Sequence, residues 1–271
     1  MPTTIPSITS STRPGSPSAG DAYFETDTKD YIIYDGANWR SWENDGSFAS
    51  GSFPSNSYSA SFDGVNDYID TNNKFDFIQQ TCEFSVTCWA KWTDYNSSTS
   101  QNQSIIATTS TSSQKGLYFY YDSRGGNRNL KVMVSANTAV TLSATGGVGD
   151  NNWHHYAVTC SGSGGSFKLY KDGSVIASGT APTTTTSTAF HTMNLGVGSS
   201  GYGYLTDAYL DEAAVFNYEL TSSEIDDIRA TPYSYIKYTS LYRLENNAND
   251  ESGANNGTNN GATFVTSTKP Y

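Results

Sequence analysis

The stretch CEFSVTCWAKW, residues 82 to 92, alternates with a period of two. Phe84, Val86, Cys88, Ala90 and Trp92 fall on one face, and Glu83, Ser85, Thr87, Trp89 and Lys91 on the other. This predicts a strand whose first set is core and whose second set, Trp89 included, points away from it. Similar runs lie on either side. NWHHYAVTC (152–160) places His154, Tyr156, Val158 and Cys160 on one face, and SFKLYKDGSVIASG (166–179) predicts a hairpin turning at Asp172-Gly173. MNLGVG (193–198) and YLTDAYLDEAAVFNYEL (204–220) add further strands. Upstream, SFDGVNDYID (61–70) reads as a turn between strands, because Asp63-Gly64 and Asn66-Asp67 carry the small polar side chains that tight turns use. Only LTSSEIDDIRA (220–230) predicts a helix, with Thr221 as its cap, Glu224 completing a capping box and Pro232 beyond its end.

The chain of 271 residues is 14% aromatic, with 20 Tyr, and only 15% charged, a mix that favours strands and turns over helices. Its length allows one large β domain with a sizeable core. A formal net charge of −11 argues against broad binding of nucleic-acid backbone, which needs clustered Lys and Arg. The basic cluster SRGGNR (123–128) reads as a solvated hairpin tip. Cys82, Cys88 and Cys160 are odd in number and lack metal-ligand spacing, which predicts free thiols. The N-terminal residues lack the charged segment and apolar run of a secretory signal, and no apolar run approaches the ~20 residues of a membrane span. Synthesis in a cytoplasm is therefore expected. Composition alone does not separate a sandwich from a barrel.

Five motifs in order resemble the laminin-G-like or concanavalin A-like jelly-roll family: SASFDGVNDYID, FSVTCWAKW, WHHYAVTCSGSGGSFKLYKDG, LGVG and LDEAAVFNYELTSSEI. The resemblance implies an all-β fold, a two-sheet antiparallel jelly-roll sandwich, here over residues 48–271. In that family a segment like SLYRLENNANDESGANNGTNNGATFVTSTKPY (240–271) precedes the SFDG strand, whereas here it follows the helix. A circular permutation is expected, with residues 241–264 supplying the displaced strand, since chain ends of compact domains often lie close together. Donation of that strand to a neighbouring subunit and the stump of a second domain are the alternatives. A stump would leave an unpaired edge.

Residues 1–47 are of another kind. PTTIPSITSSTRPGSPSAGD (2–21) is rich in Pro, Ser and Thr and predicts extended chain. AYFETDTKDYIIYDGANWRSW (22–42) predicts a small antiparallel meander, too small to be stable alone. Arg13, Pro14, Pro17, Gly20, Asp21, Tyr23, Thr26, Asp27, Tyr34, Asp35, Gly36 and Trp39 form a pattern similar to a short element common in phage tail-fibre, head-fibre and other virion proteins. That resemblance implies an attachment and oligomerisation segment that anchors and trimerises on a particle. Arg13, Pro14, Tyr23, Tyr34 and Trp39 are its candidate contact residues.

Relatives in the jelly-roll family bind calcium near the SFDG, LDE and NDESG positions, so the resemblance implies Asp63, Asp211 and Asp250 as candidate calcium ligands. Calcium needs six to eight oxygens, and turn or capping roles are the simpler reading of these residues. His154 and His155 are neighbours in a strand and face opposite ways, which predicts one buried and one exposed imidazole rather than a metal site. Asp211 and Glu212 are predicted to face apart for the same reason. A retaining glycosidase needs two convergent carboxylates. Some glucanases of this fold carry Glu-x-Asp-x-x-Glu, but DAYLDE (207–212) lacks the first Glu, and no Ser-His-Asp arrangement has supporting motifs. The chain is therefore expected not to be an enzyme. Trp89, Tyr202 and Tyr204 are the candidate stacking platforms for a sugar, and aromatics that fill sheet faces are the plain alternative. The Asn-x-Ser/Thr triplets at Asn96, Asn102 and Asn256 are chance occurrences in such a composition.

Together these readings point to a non-enzymatic bacteriophage virion structural protein, a head or tail fibre or decoration protein. It would display a lectin-like sandwich on the particle surface, as a trimer attached to other virion proteins and touching host glycans. The alternative is a carbohydrate-binding adhesin whose N-terminal arm is a linker.

Overall fold

A computed structural model describes residues 7–18, 21–25, 30–34, 39–41, 56–92, 102–109, 112–122, 129–145, 149–199, 202–230, 238–266 and 269. The chain forms two compact units, Met1–Ser55 with Tyr233–Ile236, and Asn56–Pro232 with Lys237–Tyr271. In the first, β2 (Ala22–Glu25), β3 (Asp30–Tyr34) and β4 (Trp39–Ser41) form an antiparallel meander, and β1 (Ser7–Ile8) joins β2 in parallel. The extended arm thus adds a strand to the meander's open edge, the surface such an edge offers to any extended chain. Arg13 is exposed, and Pro14 and Tyr23 are half-buried. The side chains of Tyr34 and Trp39, which are register partners, fall outside the described residues, as do Asn96 and the basic cluster 123–128.

The second unit opens with β5 (Tyr58–Asp63), β6 (Tyr68–Asp70), the short helix α1 (Phe77–Gln80) and β7 (Glu83–Trp92). β8 (Asn102–Ala107), β9 (Gly116–Asp122), β10 (Asn129–Ser135) and β11 (Ala139–Thr145) follow, then β12 (His154–Ser161), β13 (Ser166–Lys171) and β14 (Ser174–Thr180). After them come β15 (Asn194–Leu195), β16 (Val197–Ser199), β17 (Tyr202–Leu205), β18 (Asp207–Phe216) and the helix α2 (Ser222–Ala230). β19 (Ser240–Tyr242), β20 (Thr258–Asn260) and β21 (Thr263–Thr266) complete the unit. One sheet has seven strands in the order β11-β10-β9-β8-β15-β6-β20. The other has eight, in the order β14-β13-β12-β7-β18-β5-β21 with β19 also on β18. The result is an all-β sandwich of two antiparallel sheets, the architecture that the jelly-roll resemblance implies.

The core lies between the sheets. Phe84, Val86, Cys88, Ala90 and Trp92 of β7 all enter it, with Tyr156, Val158 and Cys160 of β12, Phe119 and Tyr121 of β9, and Phe62 of β5. The three cysteines are free and buried, and burial pushes the Cys82 thiol up to about 11 and Cys160 up to about 12. The SFDGVNDYID stretch carries the chain from one sheet to the other. β5 pairs in the eight-stranded sheet, β6 in the seven-stranded one, and the intervening turn is tied by Val65 N–H to Asp63 Oδ1 (2.8 Å) and Asp63 N–H to Asp67 Oδ2 (3.1 Å). The segment after α2 contributes to both sheets of its own chain: β19 pairs with β18, β20 with β6 and β21 with β5.

Local signals act as the sequence predicts at two places. Asp172 and Gly173 both take positive φ (50° and 82°), which fits the tight turn of the β13–β14 hairpin. At α2, Thr221 N–H donates to Glu224 Oε2 (2.7 Å) and Glu224 N–H to Thr221 Oγ1 (3.2 Å), a reciprocal capping box. α1 was not foreseen, because a single turn is too short to display a helical period.

The stacking role expected of Trp89 requires an open ring. It does face away from the main core, yet it is only 5% exposed, and Ser85 and Thr87 on the same face are fully buried. The reason is a second layer that strand alternation cannot anticipate. Ser85 Oγ donates to the Tyr218 carbonyl (2.9 Å) and accepts from Leu220 N–H (2.8 Å), which fastens the lead-in to α2 onto this face. Buried Leu220, Ile225 and Ile228 belong to that covering segment.

Close sheet-to-sheet contact is most demanding at Gly196, whose φ is +85° and whose position faces the Phe62 ring; a Cβ there would come within 2.5 Å of it. Gly196→Ala is expected to destabilise the fold by about 1–3 kcal/mol through overpacking and backbone strain. Chemical denaturation measures this, and Phe62→Leu in the same chain should recover part of the loss.

Candidate functional site

The outer face of the eight-stranded sheet has an open part and a closed part, and β18 runs through both. Its register sets Tyr209 beside Ser61 of β5 and Lys91 of β7, while Asp211 sits beside Trp89. On the far side, Val265 of β21 pairs with Ser59. The open part is a cleft of about 250 Å³ lined by Ser59, Lys91, Trp153, Tyr209, Val265 and Thr266. The Trp153 and Tyr209 rings stand 6.3 Å apart at 48°, and Lys91 Nζ lies 5.8 Å from the Tyr209 ring centre. Both rings are half-buried, so each is fixed by packing yet shows part of its surface. Aromatic surface with a few hydroxyl and amine groups at its rim is the chemistry that stacks on the C–H face of a sugar and bonds its hydroxyls.

Sequence reading did not single out Trp153 or Tyr209. Alternation along β18 does set Tyr209 on the face opposite Ala208 and Leu210, but only the ladder register brings it next to Lys91. Trp153 precedes β12 and has no strand pattern of its own. Of the platforms expected from sequence, Trp89 is buried. Tyr202 and Tyr204 belong to β17, which pairs with β16, and their side chains fall outside the described residues.

The closed part holds a knot of charge. Asp211 and Glu212 were expected to face apart, but they do not. A bulge between Asp211 and Ala214 inserts one extra residue opposite β7, with Glu212 at φ +49°, so both carboxylates turn to the same side. Asn56 Nδ2 donates to Asp211 Oδ2 (3.1 Å) and Glu212 Oε1 (2.6 Å). Lys269 Nζ lies 3.4 Å from Asp211 Oδ2 and 3.5 Å from Glu212 Oε1, and Arg243 Nε lies 4.0 Å from Glu212 Oε1. Glu245 approaches from the side and accepts from Ser57 N–H with both oxygens, at 3.0 Å each. Burial is the larger influence on Asp211 and pushes it up to about 7 against the pull of Lys269; burial likewise lowers Lys269.

Among the described residues, Asp211, Glu212 and Glu245 each bring an oxygen within 4.8 Å of the others. The set fits calcium poorly. Each carboxylate brings one oxygen to the cluster, three against the six to eight that calcium takes, and the groups turned toward them are donors: an ammonium, a carboxamide N–H and backbone amides. Asp63, Asp211 and Asp250 are not brought together. Asp63 pairs with Asp207, four residues along β18 from Asp211, which is ~13 Å at strand rise. Asp250 accepts from the amides of Leu241 (2.9 Å), Ser252 (3.1 Å) and Asn255 (3.1 Å) and from the Ser252 hydroxyl. Burial alone would raise the Asp250 carboxyl, but these donors hold it below the usual range.

His155 is buried, and burial pushes its imidazole down to about 3. His154 was expected to carry the buried ring or the exposed one outright and does neither: its side chain is 17% exposed and is held by Asp172 (2.6 Å) and Asp150 (2.9 Å). The folded protein leaves His155 neutral while the unfolded chain protonates near the usual ~6.5. Stability from this group is complete above about 6.5 and is lost as pH falls toward 3. Urea unfolding at a series of pH values should show that decline, and His155→Phe should make it shallower.

Comparison with known proteins agrees with this architecture. The family model described as the concanavalin A-like lectin/glucanases superfamily matches residues 63–226. A candidate carbohydrate-binding protein from Bacteroides ovatus superposes with a TM-score of 0.56 at 17% identity, over 94% of this chain and 71% of its own. A heptameric SAP-like pentraxin from Limulus polyphemus superposes with a TM-score of 0.50 at 16% identity, over 79% of this chain and 96% of its own. A search of curated protein sequences finds no match. With more than half of its length inside the family model, the chain belongs to the concanavalin A-like lectin/glucanase superfamily.

Proposed function

We propose that this protein is a non-enzymatic carbohydrate-binding module displayed on the surface of a bacteriophage particle, and that it holds glycans in the Trp153–Tyr209 cleft. The observation that carries the reading is that cleft: two packed, partly open aromatic rings on a rigid sheet, with Lys91 and the hydroxyl-bearing Thr266 beside them. Catalysis at the Asp211–Glu212 carboxylate pair is disfavoured by its burial. Asp211 is 0% and Glu212 2% exposed, so no glycosidic bond reaches them. In the virion reading, the unit containing Arg13, Pro14, Tyr23, Tyr34 and Trp39 anchors and trimerises the protein on other virion components. Its support is the pattern of those residues in the sequence.

Glycan-array binding by the purified protein tests the sugar site. Trp153→Ala and Tyr209→Ala are each expected to weaken the best ligand at least about tenfold, or 1.4 kcal/mol, with the circular dichroism spectrum unchanged. Unaltered affinity in both variants would remove the cleft from consideration. Immunogold labelling of purified particles tests display. Absence of label from the particles, with the protein found free, favours the adhesin reading in which residues 1–47 are a linker.

A further inference from the structure

We propose that Lys269 and Asp211 become joined by an intramolecular amide bond, with Glu212 as the base that enables it. Lys269 Nζ stands 3.4 Å from Asp211 Oδ2 and 3.5 Å from Glu212 Oε1, and all three side chains are at most 1% exposed. The Trp89 ring lies 5.8 Å from the same nitrogen and covers it. Asn56 Nδ2 bonds both carboxyls at once, and Glu212 N–H donates to Asp211 Oδ1 (2.9 Å), so the acceptor is held in one orientation. Amine, carboxyl and base are therefore confined together in a site closed to solvent, the condition under which an intramolecular reaction gains most from proximity.

The step balances without an outside reagent. In a buried site the ion pair has a neutral alternative, an amine and a carboxylic acid, and burial moves both Asp211 and Lys269 toward those forms. The amine lone pair attacks Asp211 Cγ, and Glu212 takes the proton released from nitrogen. The bond from Cγ to the hydroxyl oxygen then breaks, Glu212 returns the proton to that oxygen, and one water leaves. Asn56 holds the carboxyls in place, while Arg243, 4.0 Å from Glu212, and the neighbouring Glu245 complete the charged surroundings. The product would tie the middle of β18 to a residue beyond β21. It is independent of any sugar site.

Mass spectrometry of the intact, denatured full chain is the test. The expected mass is that of the sequence less one water, with a proteolytic digest yielding a branched peptide that joins Asp211 to Lys269. An unmodified mass overturns the proposal, as does a water loss confined to a linear Asp211 peptide. A loss of ammonia with a branch at Asn56 overturns the assignment to Asp211. Glu212→Gln is expected to fold with an unchanged circular dichroism spectrum and to keep the full, unlinked mass; complete linkage in that variant would overturn the role given to Glu212. Lys269→Arg keeps the positive charge and should also retain the unlinked mass.

Discussion

The central strands of the eight-stranded sheet are covered on both faces, a constraint that makes any charge or unpartnered polar group trapped there costly. β7 shows the consequence most directly. One of its faces supplies five residues to the main core, while the other carries buried Ser85 under the lead-in to α2, and buried Thr87 and Trp89, the last against His155 and Lys269. Ser85 meets the constraint by bonding the chain that covers it. His155 meets it by remaining neutral. Asp211 and Glu212 meet it with an ammonium delivered from beyond β21.

That constraint divides one sheet face into two territories. Toward the α2 side the surface is sealed, and its charges are met by one another, by Asn56 and by backbone amides. Toward β5 and β21 the covering stops, which leaves Trp153 and Tyr209 partly open over a shallow floor. A single strand, β18, furnishes Asp211 to the first territory and Tyr209 to the second. The boundary between them is the bulge at Glu212.

The strands of CEFSVTCWAKW, NWHHYAVTC and SFKLYKDGSVIASG, the hairpin turn at Asp172-Gly173, the capping box of α2 and the turn nature of SFDGVNDYID were readable, because each is encoded by residues close in sequence, whereas β8 to β11 were not read. Period-two alternation correctly sorted Phe84, Val86, Cys88, Ala90 and Trp92 into the core. It set Trp89 on the opposite face correctly but could not show that the ring is buried there, since the groups against it, His155 and Lys269, come from elsewhere in the chain. It failed at Asp211-Glu212, because one extra residue cancels the alternation on which the inference rested. The aromatic cleft was hidden for a related reason: Trp153, Tyr209 and Lys91 become neighbours only through the pairing of β7, β12 and β18, and register is a property of the assembled sheet.

The pairing of β20 with β6 and of β21 with β5 also bears on how the protein comes into being. β5 and β6 leave the ribosome early, while the strands that flank them are the last of the sandwich to be made. At ordinary translation speeds, about 5–20 residues per second, the interval is on the order of ten to forty seconds. Throughout it, one strand in each sheet waits with an unpaired side. Both sheets can therefore gain these last strands only once residues 258–266 are made, and until then β5 and β6 each keep an open edge.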